Sequence, residues 1–172
     1  ELDMSNEPVI DLLANWLQNS GFKVTKQPVS NGKFNLIATL GQGSDGLILS
    51  GHTDTVPCDD KLWKSDPFKL TRRDNRYYGL GSCDMKSFIA MAIMASQSFT
   101  PAQYRHPLTI IATADEETTM SGARLISEEG RQLGRYCVIG EPTSLTPVRE
   151  HKGIIMESVK FTGSSGHSSD PE

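Results

Sequence analysis

Cysteine is scarce in this sequence, with three in 172 residues and no CxxC pair, which excludes a disulfide framework and a thiolate metal cage. Such usage predicts a reducing compartment, the cytoplasm. Long apolar runs are missing too. The stretches 89–95 and 108–112 fall far short of the ~20 residues needed to cross a bilayer, so no membrane partner is expected. Runs of basic residues are also absent, and 17 Lys and Arg against 21 Asp and Glu leave a net charge of −4. That balance disfavours a nucleic-acid surface. No internal repeat or low-complexity segment occurs, and 37% hydrophobic with 22% charged residues excludes disordered, collagenous and coiled-coil chains. The length suits one buried core, or one domain and the start of another.

What is present alternates between two rhythms. Pro8 opens a helical pattern carrying Val9, Leu12, Leu13, Trp16 and Leu17, which Asn19-Ser20-Gly21 stops. Segments 22–29, 34–40 and 47–51 then read as short strands, the third apolar on both faces and therefore central. Helical spacing returns over 85–99, a β-prone run over 108–114, a helix over 123–130 and a strand over 136–140. Alternation of this kind predicts a layered α/β sheet. Beyond a helix-poor link, 154–162 alternates Ile155, Glu157, Val159 and Phe161, as the first strand of a second domain would. The expected division is 1–150 and 151–172. Glu1 directly precedes a helical pattern and 170–172 closely follow a strand-like one, so both ends read as cut from a longer chain.

Five polar clusters fall where buried elements should end: 51–57, 79–86, 114–118, 140–143 and 166–168. In open α/β sheets the carboxyl ends of strands are where ligands collect. His52 stands next but one to Asp54, a spacing that lets a carboxylate orient the imidazole so that its other nitrogen can hold a metal. A hydrogen-bonded turn histidine would look the same. Asp84 fits either a ligand or a helix cap. Adjacent side chains in an extended segment point to opposite sides, so Glu116 and Glu117 can divide the work between metal ligand and proton carrier, or simply be solvated acids. Glu141 is confined between Gly140 and Pro142. Together His, Asp, Glu and Glu match the mixed N/O ligand set of a hydrolytic zinc-type site, where a bridging carboxylate can serve two ions.

These clusters, in this order and at these intervals, resemble the zinc-dependent aminoacylase/carboxypeptidase superfamily of amidohydrolases over nearly the whole chain. The stretch 139–145 with His151-Lys152-Gly153 tilts the resemblance towards its deacetylases acting on N-acetyl-ornithine. The resemblance implies a three-layer catalytic domain, with a mixed, mainly parallel sheet flanked by helices, followed by the truncated start of an α+β dimerisation (lid) domain. It implies two divalent ions, zinc or cobalt, in the intact enzyme. His52 and Glu141 would hold one and Glu117 the other, with Asp84 bridging, Asp54 orienting His52 and Glu116 as general base. His167 would reach a partner subunit's oxyanion in a homodimer, and the Asp84–Met85 peptide would be cis. The superfamily's further metal-binding histidine has no counterpart here, so at most one tightly bound ion is expected. Cys83 and Ser87 depart from the Ala and Gly common in relatives, without removing a ligand.

The expected reaction is hydrolysis of the amide of an N-acylated amino acid, N-acetyl-ornithine, in arginine biosynthesis. A succinyl-diaminopimelate desuccinylase or an aminoacylase/dipeptidase on the same scaffold is the nearest alternative. A non-catalytic metal-binding module is the alternative of another class, and a free Glu116 argues against it. A Rossmann-like binding domain is disfavoured because no GxGxxG follows the first strands.

Overall fold

The computed structural model describes residues 4–150, 152–153 and 157–163. They fall into two compact units, Glu1–Pro142 and Thr143–Glu172. In the first unit the chain forms α1 (Glu7–Asn19), β1 (Lys23–Ser30), β2 (Lys33–Leu40), β3 (Leu47–His52), β4 (Thr71–Arg73) and β5 (Arg76–Tyr78). It continues with α2 (Lys86–Ser96), β6 (Leu108–Thr113), α3 (Ser121–Glu128) and β7 (Tyr136–Ile139).

Five strands make one sheet in the order β1-β2-β6-β3-β7, while β4 and β5 form a separate hairpin. β1 pairs antiparallel with β2 and β2 antiparallel with β6, whereas β3 is parallel to both β6 and β7. Every strand but β2 therefore points the same way, which is the mainly parallel sheet expected. β3 is interior, paired on both sides, but it lies next to the edge strand β7 and is buried only at Gly51 and His52, so the buried central strand expected there is β6 instead. β6 is buried along its whole length.

One face of the sheet carries Leu36, Ala38, Leu40, Leu108, Ile110 and Ala112, and these pack against α1 and α2. The buried stripe of α1 is Ile10, Leu13 and Leu17, narrower than the apolar pattern suggests, because Leu12 and Trp16 remain partly exposed. α2 buries Ile89, Ala92, Ile93 and Ser96, spaced for one helical face. It ends at Ser96, three residues before the expected Phe99. Tight seating of α2 on β3 depends on Gly51, where a Cβ would stand 2.9 Å from Met85 Cε and 3.0 Å from Ile89 Cγ1. Asn35, on the opposite face of β2, donates to Gly122 O at the start of α3, which gives the third layer.

The second unit departs from expectation. Residues 157–163 form no strand, and Val159 and Phe161 are exposed. An alternating pattern becomes a strand only when another strand pairs with it, and none does so among the described residues. Residues 154–156, the rest of that expected strand, lie outside the described residues, as does His167. No helix among the described residues is long and apolar enough to cross a membrane.

Candidate metal centre

Parallel pairing sets His52 beside Thr113, so β3 and β6 end side by side. The chain leaving β6 turns at once into Asp115, Glu116 and Glu117, and the chain leaving β7 is held by Gly140 N–H donating to Ser50 O before Glu141. Asp84 arrives from the loop that opens α2, through a cis Asp84–Met85 peptide as the resemblance implies. Three parallel strand ends and one helix approach thus converge, the arrangement in which α/β sheets build ligand sites.

His52 sits at the centre and is 1% exposed. Its Nδ1 lies 3.0 Å from the backbone carbonyl of Asp54. A carbonyl can only accept, so Nδ1 carries the hydrogen and Nε2 the lone pair. That lone pair faces Asp84 Oδ1 at 3.0 Å and Glu141 Oε1 at 4.0 Å. Three acceptors pointing at one another require a cation between them, either a proton or a metal. The Asp54 carboxylate lies 3.6 Å from Nδ1, and its hydrogen bonds go instead to the N–H groups of Glu116 (3.2 Å) and Glu117 (3.0 Å). It therefore holds the glutamate loop as well as standing beside the imidazole.

The electrostatics follow from this crowding. Burial disfavours charging His52, but the Asp54 and Asp84 carboxylates outweigh it and push the imidazole up to about 9. Asp54 is held at about 2, since contact with His52 and the Glu117 and Glu116 amides overcome the opposing effect of burial. Glu117 and Glu141 are pushed up by burial first and then by neighbouring carboxylates, Asp84 foremost, against a downward pull from His52. Burial also lowers the Lys86 amine, although Asp54 and Asp84 favour its charge. Apart from what burial does to each, the upward shifts of His52, Glu117 and Glu141 share one cause, the crowding of carboxylates, and a site of such negative potential favours a bound cation.

Two ligand groups satisfy metal spacing, His52 with Asp84 and Glu141, and His52 with Glu116 and Glu117, each with its donor atoms within 4.8 Å of one another. All six expected residues that the structure describes, His52, Asp54, Asp84, Glu116, Glu117 and Glu141, therefore meet. His106 lies apart, its Nδ1 3.0 Å from Asp45 Oδ2 in the turns that precede β6 and β3. Sequence reasoning missed the polar supports behind the site. Asn6 donates to Thr53 Oγ1, and Thr53 in turn donates to Thr113 O, tying α1 to the segment after His52. Lys33 and Asn35, two residues apart on an otherwise apolar strand, were the visible sign of another support.

The model of peptidase family M20/M25/M40 matches residues 48–166, the span that contains every candidate ligand. The chain belongs to this family. It is 54% identical over 172 residues to an acetylornithine deacetylase of Proteus mirabilis, covering 99% of this chain and 44% of that protein. An acetylornithine deacetylase of Pasteurella multocida is 52% identical over 171 residues, covering 98% and 45%. The chain thus spans under half the length of these relatives. Human carnosine dipeptidase 1 superposes with a TM-score of 0.64 at 25% identity, over 77% of this chain and 32% of that one. An M20 family metallo-carboxypeptidase from Sulfolobus solfataricus gives 0.65 at 18% identity, over 78% and 32%, and shares the fold. Membership of this M20 chain in a metallopeptidase family implies a divalent metal, and the donors fit one: mixed N and O atoms around the aimed lone pair of His52.

Proposed function

We propose that this chain is the N-terminal part of a longer enzyme that hydrolyses the amide bond of N-acetyl-ornithine to ornithine and acetate, a step of arginine biosynthesis. The observation that carries the reading is the convergence of Asp84, Glu141, Glu116 and Glu117 on one buried imidazole. The substrate rests on identity to acetylornithine deacetylases over nearly the whole chain. On this reading residues 1–150 belong to the catalytic domain and 151–172 begin a dimerisation domain. The intact enzyme is a cytoplasmic homodimer with two zinc or cobalt ions.

His52, Asp84 and Glu141 would hold one ion, with Asp84 bridging to a second held by Glu117. A divalent ion there supplies charge that polarises the scissile carbonyl and acidifies water. The residues do the rest. Glu116, whose backbone is fixed by Asp54, takes a proton from the attacking water onto its carboxylate and returns it to the leaving amine. Charge on the tetrahedral oxygen is met by His167 of the neighbouring subunit in the dimer. The test is hydrolysis of N-acetyl-ornithine by the full-length protein before and after chelation, beside N-succinyl-diaminopimelate, N-acyl amino acids and dipeptides. Chelator-sensitive turnover favouring N-acetyl-ornithine is expected. Preference for another member of the panel overturns the substrate, and turnover that survives metal removal overturns the mechanism.

A further inference from the structure

Asp115 opens the acidic triplet yet belongs to neither metal-spaced group. Its backbone takes a left-handed conformation (φ 56), and its side chain turns back towards β2. Oδ1 lies 3.1 Å from Lys33 Nζ, with the two side chains only 15% and 10% exposed. Oδ2 accepts from Ser121 Oγ at 3.3 Å. Antiparallel pairing of Leu36 with Ala112 carries the start of β2 alongside the exit of β6, which is why Lys33 reaches this turn. Two residues on, the fully buried Asn35 grips the same loop at both ends. Its Oδ1 accepts Ala114 N–H at 3.0 Å, and its Nδ2 donates to Gly122 O at 2.9 Å and to Gln27 Oε1 at 2.8 Å. Gly122 N–H donating to Ala114 O at 3.2 Å closes the neck. The approach is so close that a Cβ on Gly122 would collide with Asn35 Oδ1 and the Ala114 backbone. Two buried polar side chains on a largely apolar strand both reach one loop, Lys33 through Asp115 and Asn35 through Ala114 and Gly122, which implies that they secure the loop's shape.

We propose that Lys33 and Asn35 are positioning residues for Glu116 and Glu117. They clamp the base of the loop while Asp54 holds its tip, so that both carboxylates face His52. The inference rests on the roles given to those glutamates above. A misplacement of ~1 Å at a reacting group costs up to ~10²-fold in rate, so a loosened neck is read in turnover.

The test uses the full-length protein at saturating divalent metal. Lys33→Met and Asn35→Ala are each expected to lower kcat by at least about tenfold with KM within about threefold, and Lys33→Arg to restore most of the loss. Hydrogen exchange supplies a readout independent of activity: amides of 114–122 should exchange at least about tenfold faster in both variants, with α1 and α2 unchanged. In a Glu116→Gln background at saturating metal, which offsets a displaced Glu117, the kcat loss from Lys33→Met should shrink to within about twofold, since the proton carrier it positions is then absent. If Asn35→Ala does not fold, the Lys33→Met and Lys33→Arg pair decides. Parental kcat and exchange in Lys33→Met, or losses that multiply with Glu116→Gln, overturn the clamp. Near-parental turnover of Glu116→Gln alone overturns the base assignment instead, and the two failures are thereby distinct.

Discussion

The carboxylate of Asp54 accepts the backbone N–H of Glu117 at 3.0 Å while the backbone carbonyl of the same residue faces His52 Nδ1 at 3.0 Å. One aspartate therefore sets both the imidazole tautomer and the place of the glutamate pair. Asp54→Asn preserves the shape but loses the charge and the acceptor strength towards the two amides. It is expected to lower turnover by about 10²-fold and to weaken metal retention, as losses of supports behind metal ligands do. Chelator competition beside steady-state kinetics checks both effects.

Glu116 and Glu117 should separate cleanly. Glu116→Gln is expected to cut activity by at least about 10²-fold with metal content preserved, because only proton transfer is lost. Glu117→Gln should instead reduce metal occupancy. Elemental analysis of the two purified variants checks this, and the reverse pattern would exchange their roles.

A polypeptide of residues 1–172 alone is expected to retain about one divalent ion after dialysis, because Glu117 lacks a histidine partner of its own. Its turnover of N-acetyl-ornithine should lie at least about 10²-fold below that of the full-length protein, comparable to the loss of one oxyanion donor. Fragment activity within about tenfold of the intact protein would remove the need for the second ion and the neighbouring subunit.

Metal-free protein should show a stability plateau bounded on both sides by this site. His52 is raised from 6.5 to about 9 on folding, so its contribution is complete below pH 6.5 and lost as pH rises to about 9. Asp54 is lowered from 3.8 to about 2, so its contribution is present above pH 3.8 and lost as pH falls to about 2. The alkaline loss is on the order of 3 kcal/mol. Urea midpoints of chelated protein across this range check it, and a His52→Asn variant should flatten the alkaline limb.

Two glycines should differ in sensitivity. At Gly122 an added Cβ meets Ala114 O at 2.6 Å and Ala114 N at 2.7 Å, backbone atoms that cannot step aside. At Gly51 it meets Met85 Cε at 2.9 Å and Ile89 Cγ1 at 3.0 Å, side-chain atoms with more freedom to shift than backbone. Gly122→Ala is expected to cost up to about 3 kcal/mol and Gly51→Ala nearer about 1 kcal/mol in chemical denaturation.

The legible parts were those with short-range causes. Pro8, Gly21 and the 3.6-residue spacing of Ile10, Leu13 and Leu17 locate α1 from local sequence, and the continuous β-prone run of β6 announces a strand buried on both faces. The metal-type residues stood out because His, Asp and Glu cluster where apolar runs stop. Partnerships were not legible. Nothing near position 33 says that Lys33 meets Asp115, since antiparallel pairing with a strand far along the chain decides it. The 157–163 segment shows the converse, an alternating pattern that pairs with nothing among the described residues.

The in-register pairing of His52 with Thr113 also determines which changes in chain length the site can absorb. Deleting one residue inside β3 would swing His52 to the far side of the sheet, because side chains alternate with period two. Lengthening the β4–β5 hairpin, which lies between His52 and Asp84 in sequence but pairs only with itself, adds loop-closure entropy of about 0.6 kcal/mol per doubling. Insertions at the tip of that hairpin, residues 74–75, should therefore be absorbed, whereas the frame of β3 is fixed.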